Sequence, residues 1–544
     1  MTLYGVAGGA LKAPALPGGV SAGKMSPSTA PCRRCHVRSW IARLGVFALA
    51  IGAVGCAEPV ERDRVLILVV DGLRPDYVTE EIMPRLNALA REGFRGLAHH
   101  AVFPTVTRVN GPSIFTGRLP GGHGLLGNSV YLPEVEPSRT LNASVAADLR
   151  LIDEATNGVL LTAPSLGELL TERGFTYFAA SSGSSGSGLL MNHTGAGAGL
   201  VHYEFTLPDS LAPIVAEVVE PVPEISEGSN AVPLAAWAID VLLRIGVDRA
   251  DADVLALWLT EPDGIAHSDG IGSPAMREAL RQLDVEIGRL LDGLAERGLL
   301  EHTNILVTSD HGFSTHNGEI SVNQLLVNAG LKESAQSTDV VVAGDAIHVR
   351  EGGQARVDAI VRLLQQTDWI GPVFTRGTEP DAVLGAYTGT VSFQAIGWDH
   401  ARSADILTSA GWSDLENEFG WRGEVLTTGT AGHGSSSPWD VRATFIAAGP
   451  GIKRNVLSPV STGNIDILPT TLALLGQPVP AGLDGRVLSE VLTTGPQPGE
   501  VSFAEDPIST SVELGAMVYE LTLHRTRVGS TVYFDGTDVT RRPR

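Results

Sequence analysis

Lysine is nearly absent from this chain: four occur in 544 residues, and beyond residue 24 only Lys332 and Lys453 remain. With 61 acidic against 39 basic side chains, the formal charge is −22. A nucleic-acid duplex is therefore excluded as the main partner, because such binding rests on clustered Lys and Arg. An anionic small ligand would have to be held by local arginines or by metal ions. Cysteine is scarcer still, with three residues, all before position 57. No apolar run reaches the roughly twenty residues of a membrane-spanning helix, and no repeat period is visible. Glycine is plentiful, at 63 residues, with 32 prolines, the mark of many turns in an otherwise ordinary globular composition. The length suggests two or three domains, or one large α/β domain carrying insertions.

The three cysteines belong to one N-terminal pattern. Arg33, Arg34, Arg38 and Arg43 precede the apolar run "LGVFALAIGAV" from Leu44 to Val54, which ends at Gly55-Cys56. This reads as an export signal over residues 1–56. The small residue before Cys56 resembles the cleavage site of bacterial lipoproteins, although Ala53 stands where that pattern prefers Leu. The expectation is an exported protein of a bacterium, periplasmic or membrane-anchored, with Cys56 as the candidate lipid anchor. Cleavage there removes Cys32 and Cys35, so the mature chain has no internal disulfide. Met25 is a plausible true start of the long leader.

Beyond the leader, apolar runs at Val65–Val70, Val254–Leu259, Asn304–Thr308 and Ala443–Ala448 each meet a polar or Gly-containing loop. Continuous apolar strands alternating with helical patterns predict an α/β fold with a mostly parallel sheet covered on both faces. One helix is well marked: Ser273 as N-cap, Pro274 in the first turn, then Leu280, Leu283, Ile287, Leu290 and Leu294, stopped near Gly298. The spacing assigns residues 62–312 and 430–500 to the core, 313–429 to an inserted α+β cap, and 501–544 to a C-terminal β ribbon. A second insertion is expected from Leu132 to Ala250. Its "SSGSSGSG" run, Ser181 to Gly188, reads as a flexible loop, because no convincing helix follows to aim amides at an anion.

Four strand ends carry metal-ligand chemistry. "VLILVVDG" ends at Asp71, "VLALWLTEPDGIAH" offers Asp263 and His267, "NILVTSDHG" gives Asp310 and His311, and "TAGHGSSS" presents His433 before the next strand. In an open α/β sheet, strand ends share one edge, where ligands bind. Three carboxylates and three imidazoles suit Zn²⁺, with Mn²⁺ or other divalent ions as competitors. Six ligands exceed one catalytic zinc, so two metals divide them. Asp263 and His267, four apart, share a face if their loop makes a helical turn. Asp399-His400 lacks the good strand and the glycine and reads as surface structure. His99, His100, His193, His202, His316 and His348 read as packing or surface residues. "FPTVTRVNGPSIFTG" holds four hydroxyls, on Thr105, Thr107, Ser113 and Thr116, with no neighbouring acid or base to activate one.

Together, "VVDG", "FPTVTRVNGPSIFTG", "HGLLGNSVY", "EPDGIAH", "TSDHG", "GTAGHG" and "NIDILPTTLALLG" resemble the alkaline phosphatase superfamily, most closely its nucleotide pyrophosphatase/phosphodiesterase branch. The resemblance implies that Asp71, Asp310 and His311 hold one zinc and Asp263, His267 and His433 the other. It places the nucleophile at Thr107. It also implies that Asn128, with the Thr107 amide, binds a phosphoryl oxygen. Arg108 and Asn110 stand where the branch commonly differs and are the candidate substrate contacts. The Lys-x-Arg pair of the group's phosphomonoesterases is missing, which disfavours a terminal phosphate ester. The implied activity is two-zinc hydrolysis of phosphodiester or nucleotide pyrophosphate bonds in a small phosphate-containing substrate, through a phosphothreonine. Alternatives are carbon–phosphorus hydrolysis of a phosphonoacetate-type substrate in the same site, and a non-catalytic surface lipoprotein.

Overall fold

The computed structural model describes residues 63–226 and 230–544; residues 1–56, expected from the sequence to be an export signal ending at Cys56, lie outside them. Alternation within one strand shows how the core is built. Leu66, Leu68 and Val70 join one buried cluster, while Val65, Ile67 and Val69 join another on the opposite face. A strand buried on both faces reads as an unbroken apolar run, which is why Arg64–Val70 was legible. Its neighbours are Thr303–Thr308 and Val254–Leu259, both parallel to it. The helices Pro84–Glu92, Val232–Val241 and Pro274–Glu296 cover the first face. Thr107–Thr116, Leu166–Glu172 and Ile467–Leu474 cover the second.

The ten-stranded sheet runs Val456–Ser458, Phe94–His100, Arg442–Ala448, Thr303–Thr308, Arg64–Val70, Val254–Leu259, Tyr177–Ser181, Gly199–His202, Phe205–Leu207, with Thr462–Gly463 beside Phe94–His100. Arg442–Ala448 is antiparallel to Thr303–Thr308. Its amino end therefore lies at the edge where the parallel strands end, which brings the loop before it, with His433, to Asp310 and Asp263. The long helix forms over Pro274–Glu296, with the Ser273 hydroxyl accepting from the Met276 amide.

Two readings of the segment 132–250 are corrected. It is not an insertion as a whole, because Tyr177–Ser181, Gly199–His202 and Phe205–Leu207 extend the central sheet. Tyr177–Ser181 is only five residues, with two alanines and a serine, too weak an apolar run to read as a central strand. Nor is the Gly/Ser run a flexible loop: Ser185–Met191 is a helix capped by the Ser184 hydroxyl, which accepts from the Ser187 amide. A Cβ at Gly186 would lie 2.0 Å from the Ala143 carbonyl oxygen. The glycine there serves close packing rather than mobility.

Between Thr308 and Arg442 the chain builds two further sheets, one of Val340–Ala343, Ala346–Val349, Ile406–Ala410, Ile370–Thr375 and Val391–Ser392, the other around Ser314–His316. The C-terminal strands Ile508–Leu514, Met517–Val528 and Thr531–Pro543 form an antiparallel ribbon.

Candidate active site

Each candidate ligand follows from how its strand ends. Asp71 is the first residue past Val70, and its amide donates to the Leu259 carbonyl at 2.9 Å. Asp263 opens the helical turn Asp263–Asp269, which puts His267 on the same face, its Nε2 3.4 Å from Asp263 Oδ1. Asp310 and His311 follow Ser309, and Gly312 lets the chain cross tightly beneath Trp439. A Cβ on Gly312 would lie 2.0 Å from the Trp439 carbonyl oxygen. That clash is the physical reason for glycine after Asp-His. His433 is aimed by its Nδ1, which lies 2.9 Å from the Thr105 carbonyl oxygen.

These side chains converge. Asp71, Asp310 and His311 each offer a ligand atom within 4.8 Å of the others, and so do Asp263, His311 and His433. The first trio is the one implied by the sequence resemblance. In the second, His311 stands where the resemblance puts His267. His267 is nevertheless at the rim of this trio, with Nδ1 3.0 Å from the Ala431 carbonyl oxygen, which leaves Nε2 toward Asp263. The His311 and His433 rings stack with centroids 3.5 Å apart.

The electrostatics point to a cation. Asp71 Oδ1, Asp263 Oδ1 and Asp310 Oδ2 are buried and face imidazole Nε2 atoms, His311 at 3.4 Å from Asp71 and 3.1 Å from Asp310, and His267 and His433 at 3.4 and 3.3 Å from Asp263; three carboxylates gathered out of water are expensive unless positive charge compensates. Burial and the charges of Asp310 and Asp263 push Asp71 well above the usual carboxylate range. Burial raises Asp263 too, but the hydrogen bonds and charges of His267 and His433 hold it well below. Asp310 is likewise lowered by His311 against the effect of burial. Burial, with His311 beside it, pushes His433 down to about 4, so it is a neutral ligand at pH 7. The residues fit two divalent ions with mixed oxygen and nitrogen donors.

Thr107 stands next to this cluster. It is the first residue of the helix Thr107–Thr116, preceded by extended Val106, and its Oγ1 lies 3.1 Å from His311 Nε2. Asn128 Oδ1 accepts from the Arg108 amide at 3.0 Å, leaving its NH2 as the donor group. Arg108 extends toward the turn at Ser184 and donates to that hydroxyl. The other hydroxyls of the segment are engaged elsewhere: Thr105 donates to the Ser435 carbonyl, Ser113 meets His123 and Thr116 donates to the Pro112 carbonyl.

Asn110 requires a correction. It is fully buried; its Oδ1 accepts from the Val102 amide and Asn464, and its Nδ2 donates to the Val102 and Val106 carbonyls. Its hydrogen-bonding capacity braces the entry to the helix, and none of it faces a substrate. The decoy Asp399 pairs with Arg376, away from the cluster.

Several supporting residues escaped the sequence reading. Trp258 Nε1 donates to Asp71 Oδ2 at 3.0 Å. Asn464 Nδ2 donates to the Asp310 carbonyl at 2.9 Å, and its Oδ1 accepts from Thr308. Thr105 Oγ1 accepts from the Gly434 amide at 3.1 Å. Trp258 is one residue of an apolar strand, and nothing in its spacing distinguishes an indole that supports a carboxylate from one that only packs.

A mostly parallel sheet whose edge gathers carboxylates and imidazoles beside a helix-borne threonine defines the class: this is an alkaline-phosphatase-like α/β fold. The chain belongs to the type I phosphodiesterase/nucleotide pyrophosphatase family, whose model matches residues 65–369, and that family is metal-dependent. Among curated relatives, venom phosphodiesterase 2 of Crotalus adamanteus is 27% identical over 278 residues, covering 50% of this chain and 29% of that protein. Ectonucleotide pyrophosphatase/phosphodiesterase family member 7 of Homo sapiens is 24% identical over 276 residues, covering 50% and 53%. These matches span about half or less of the relatives' length. The solved structure of murine ectonucleotide pyrophosphatase/phosphodiesterase 5 aligns with TM-score 0.54 at 17% identity, covering 79% of this chain and 100% of that one. An inactive form of it, in complex with AMP, aligns with TM-score 0.53 at 18% identity, covering 77% and 96%.

Proposed function

We propose that the protein hydrolyses phosphodiester or nucleotide pyrophosphate bonds through a phosphothreonine at Thr107. The observation that carries this reading is the Thr107 hydroxyl, 3.1 Å from His311 Nε2 and beside the buried trio of Asp71, Asp310 and His311. Asp71, Asp310 and His311 would hold one divalent ion, taken as Zn²⁺, and Asp263, His267 and His433 a second. Bound there, the ions lower the pKa of a hydroxyl or water and neutralise charge on the leaving oxygen.

Thr107 Oγ1 loses its proton to solvent and forms a bond to phosphorus, while the bond from phosphorus to the leaving oxygen breaks in line. Water then attacks the phosphothreonine from the vacated side and releases Thr107, so the two displacements retain configuration at phosphorus. The Thr107 amide, at the first helical position with no intrahelical partner, and the Asn128 NH2 donate to the equatorial oxygens. The AMP complex of the murine neighbour supports including nucleotides among the substrates assayed.

Thr107→Ala is expected to abolish turnover of bis-p-nitrophenyl phosphate while leaving zinc content unchanged. Retained turnover would overturn the nucleophile assignment. Wild-type phosphate release from phosphonoacetate, without diester cleavage, would move the reaction to carbon–phosphorus hydrolysis.

A further inference from the structure

Arg108 is the one cation that the helix Thr107–Thr116 places directly after the candidate nucleophile. Its guanidinium donates to the Ser184 hydroxyl, and its Nε is buried with no hydrogen-bond partner. A guanidinium nitrogen withdrawn from water and left unpaired beside a reaction centre is suited to an anionic oxygen.

The support is rigid. Ser184 caps the helix that begins at Ser185. The Gly186 amide donates to the Ser144 carbonyl at 2.9 Å, and the Ala146 amide to the Ser185 hydroxyl at 3.1 Å. The Ala143 amide in turn donates to the Asn128 carbonyl at 2.9 Å. Arg108, Ser184 and Asn128 therefore belong to one hydrogen-bonded frame around Thr107.

We infer that Arg108, tethered by Ser184, is a receptor for a third charged oxygen on the transferred group, so that the site also takes terminal phosphoryl dianions, the phosphomonoester class. This rests on the Thr107 reading proposed above and adds a substrate class to it. Charge balance gives the reason. Two divalent ions would be balanced by the three carboxylates and the Thr107 alkoxide, so Arg108 supplies the positive charge that remains for the transferred group, and a dianion draws on that charge more than a monoanion does. The Lys-x-Arg pair whose absence disfavoured such substrates is thus replaced by a cation from another place in the fold. The reaction is the same pair of displacements: Thr107 Oγ1 bonds to phosphorus, the alcohol leaves with a proton from solvent, and water releases inorganic phosphate.

The test uses the zinc-loaded protein with two readouts, the affinity for inorganic phosphate by calorimetry and the ratio of kcat/KM for p-nitrophenyl phosphate to that for bis-p-nitrophenyl phosphate. Arg108→Ala and the near-isosteric Arg108→Gln are each expected to weaken phosphate binding and lower the ratio by about tenfold or more. Arg108→Lys should recover part of both, and Ser184→Ala should lose less, in the same direction. Phosphate affinity and ratio both within about twofold of wild type in Arg108→Gln would overturn the inference. If the wild-type enzyme cleaves no diester, the phosphodiesterase reading falls. Phosphate affinity in the Arg108 variants then decides the anion receptor alone.

Discussion

Trp258→Phe removes one atom group from the metal cluster's support and little else. The indole is fully buried, packs beside Gly183, and gives its only hydrogen bond to Asp71 Oδ2 at 3.0 Å. A phenyl ring keeps most of the packing and deletes the donor. Asp71 already stands well above its ordinary pKa because of burial and the charges of Asp310 and Asp263, and the indole N–H works against that shift. Without it the carboxylate holds its proton more tightly, and a metal ion must displace that proton to bind. A hydrogen bond to a charged group contributes about 1.5–3 kcal/mol. Zinc affinity at this position should therefore weaken roughly ten- to 150-fold, in the range seen for groups that orient metal ligands. Competition against a chromophoric chelator at pH 7 measures it, and the deficit should shrink as the pH is raised. Affinity within about twofold of wild type, in a variant with an unchanged melting temperature, would refute the reasoning.

Three further outcomes are expected. Gly312→Ala, whose Cβ would sit 2.0 Å from the Trp439 carbonyl oxygen, should displace His311 and reduce bound zinc, read by metal analysis of the folded fraction. Lys453→Met should destabilise by about 2–4 kcal/mol in urea titration, because the carbonyls of Glu490, Leu492, Gly495 and Pro496 all lose the ammonium that donates to them. Asp345 is raised from 3.8 to about 7 by burial and by Asp440. A carboxyl raised on folding contributes stability below its unfolded pKa, and that contribution is lost as pH rises through the folded value. The wild type should therefore lose about 4 kcal/mol between pH 4 and pH 8 relative to Asp345→Asn. Parallel melting curves would refute this.

The parts of the site that were legible in the sequence are those set by local rules. A strand buried on both faces is a continuous apolar run, so Arg64–Val70, Val254–Leu259 and Thr303–Thr308 announced themselves, and Asp71, Asp263 and Asp310 could be placed at their ends. Tyr177–Ser181 did not, because its small residues are chosen for the helices packed on it rather than for apolar weight. Ser184 was illegible for a related reason. Glycines that permit close approach and glycines that permit flexibility look alike until the neighbouring backbone is known.

Sequence alone determined which chemistry the strand ends could carry: carboxylate and imidazole at the ends of apolar strands, and an i, i+4 pair on one turn. These depend on neighbours in the chain. Tertiary structure alone decided that His311 stands with Asp263 and His433 as well as with Asp71 and Asp310, that Asn110 is a brace and Trp258 a support for Asp71, and that Arg108 has a partner in Ser184. Each of those depends on distances across strands far apart in sequence, set by the order in which the sheet is assembled and by the antiparallel strand that brings His433 to the edge.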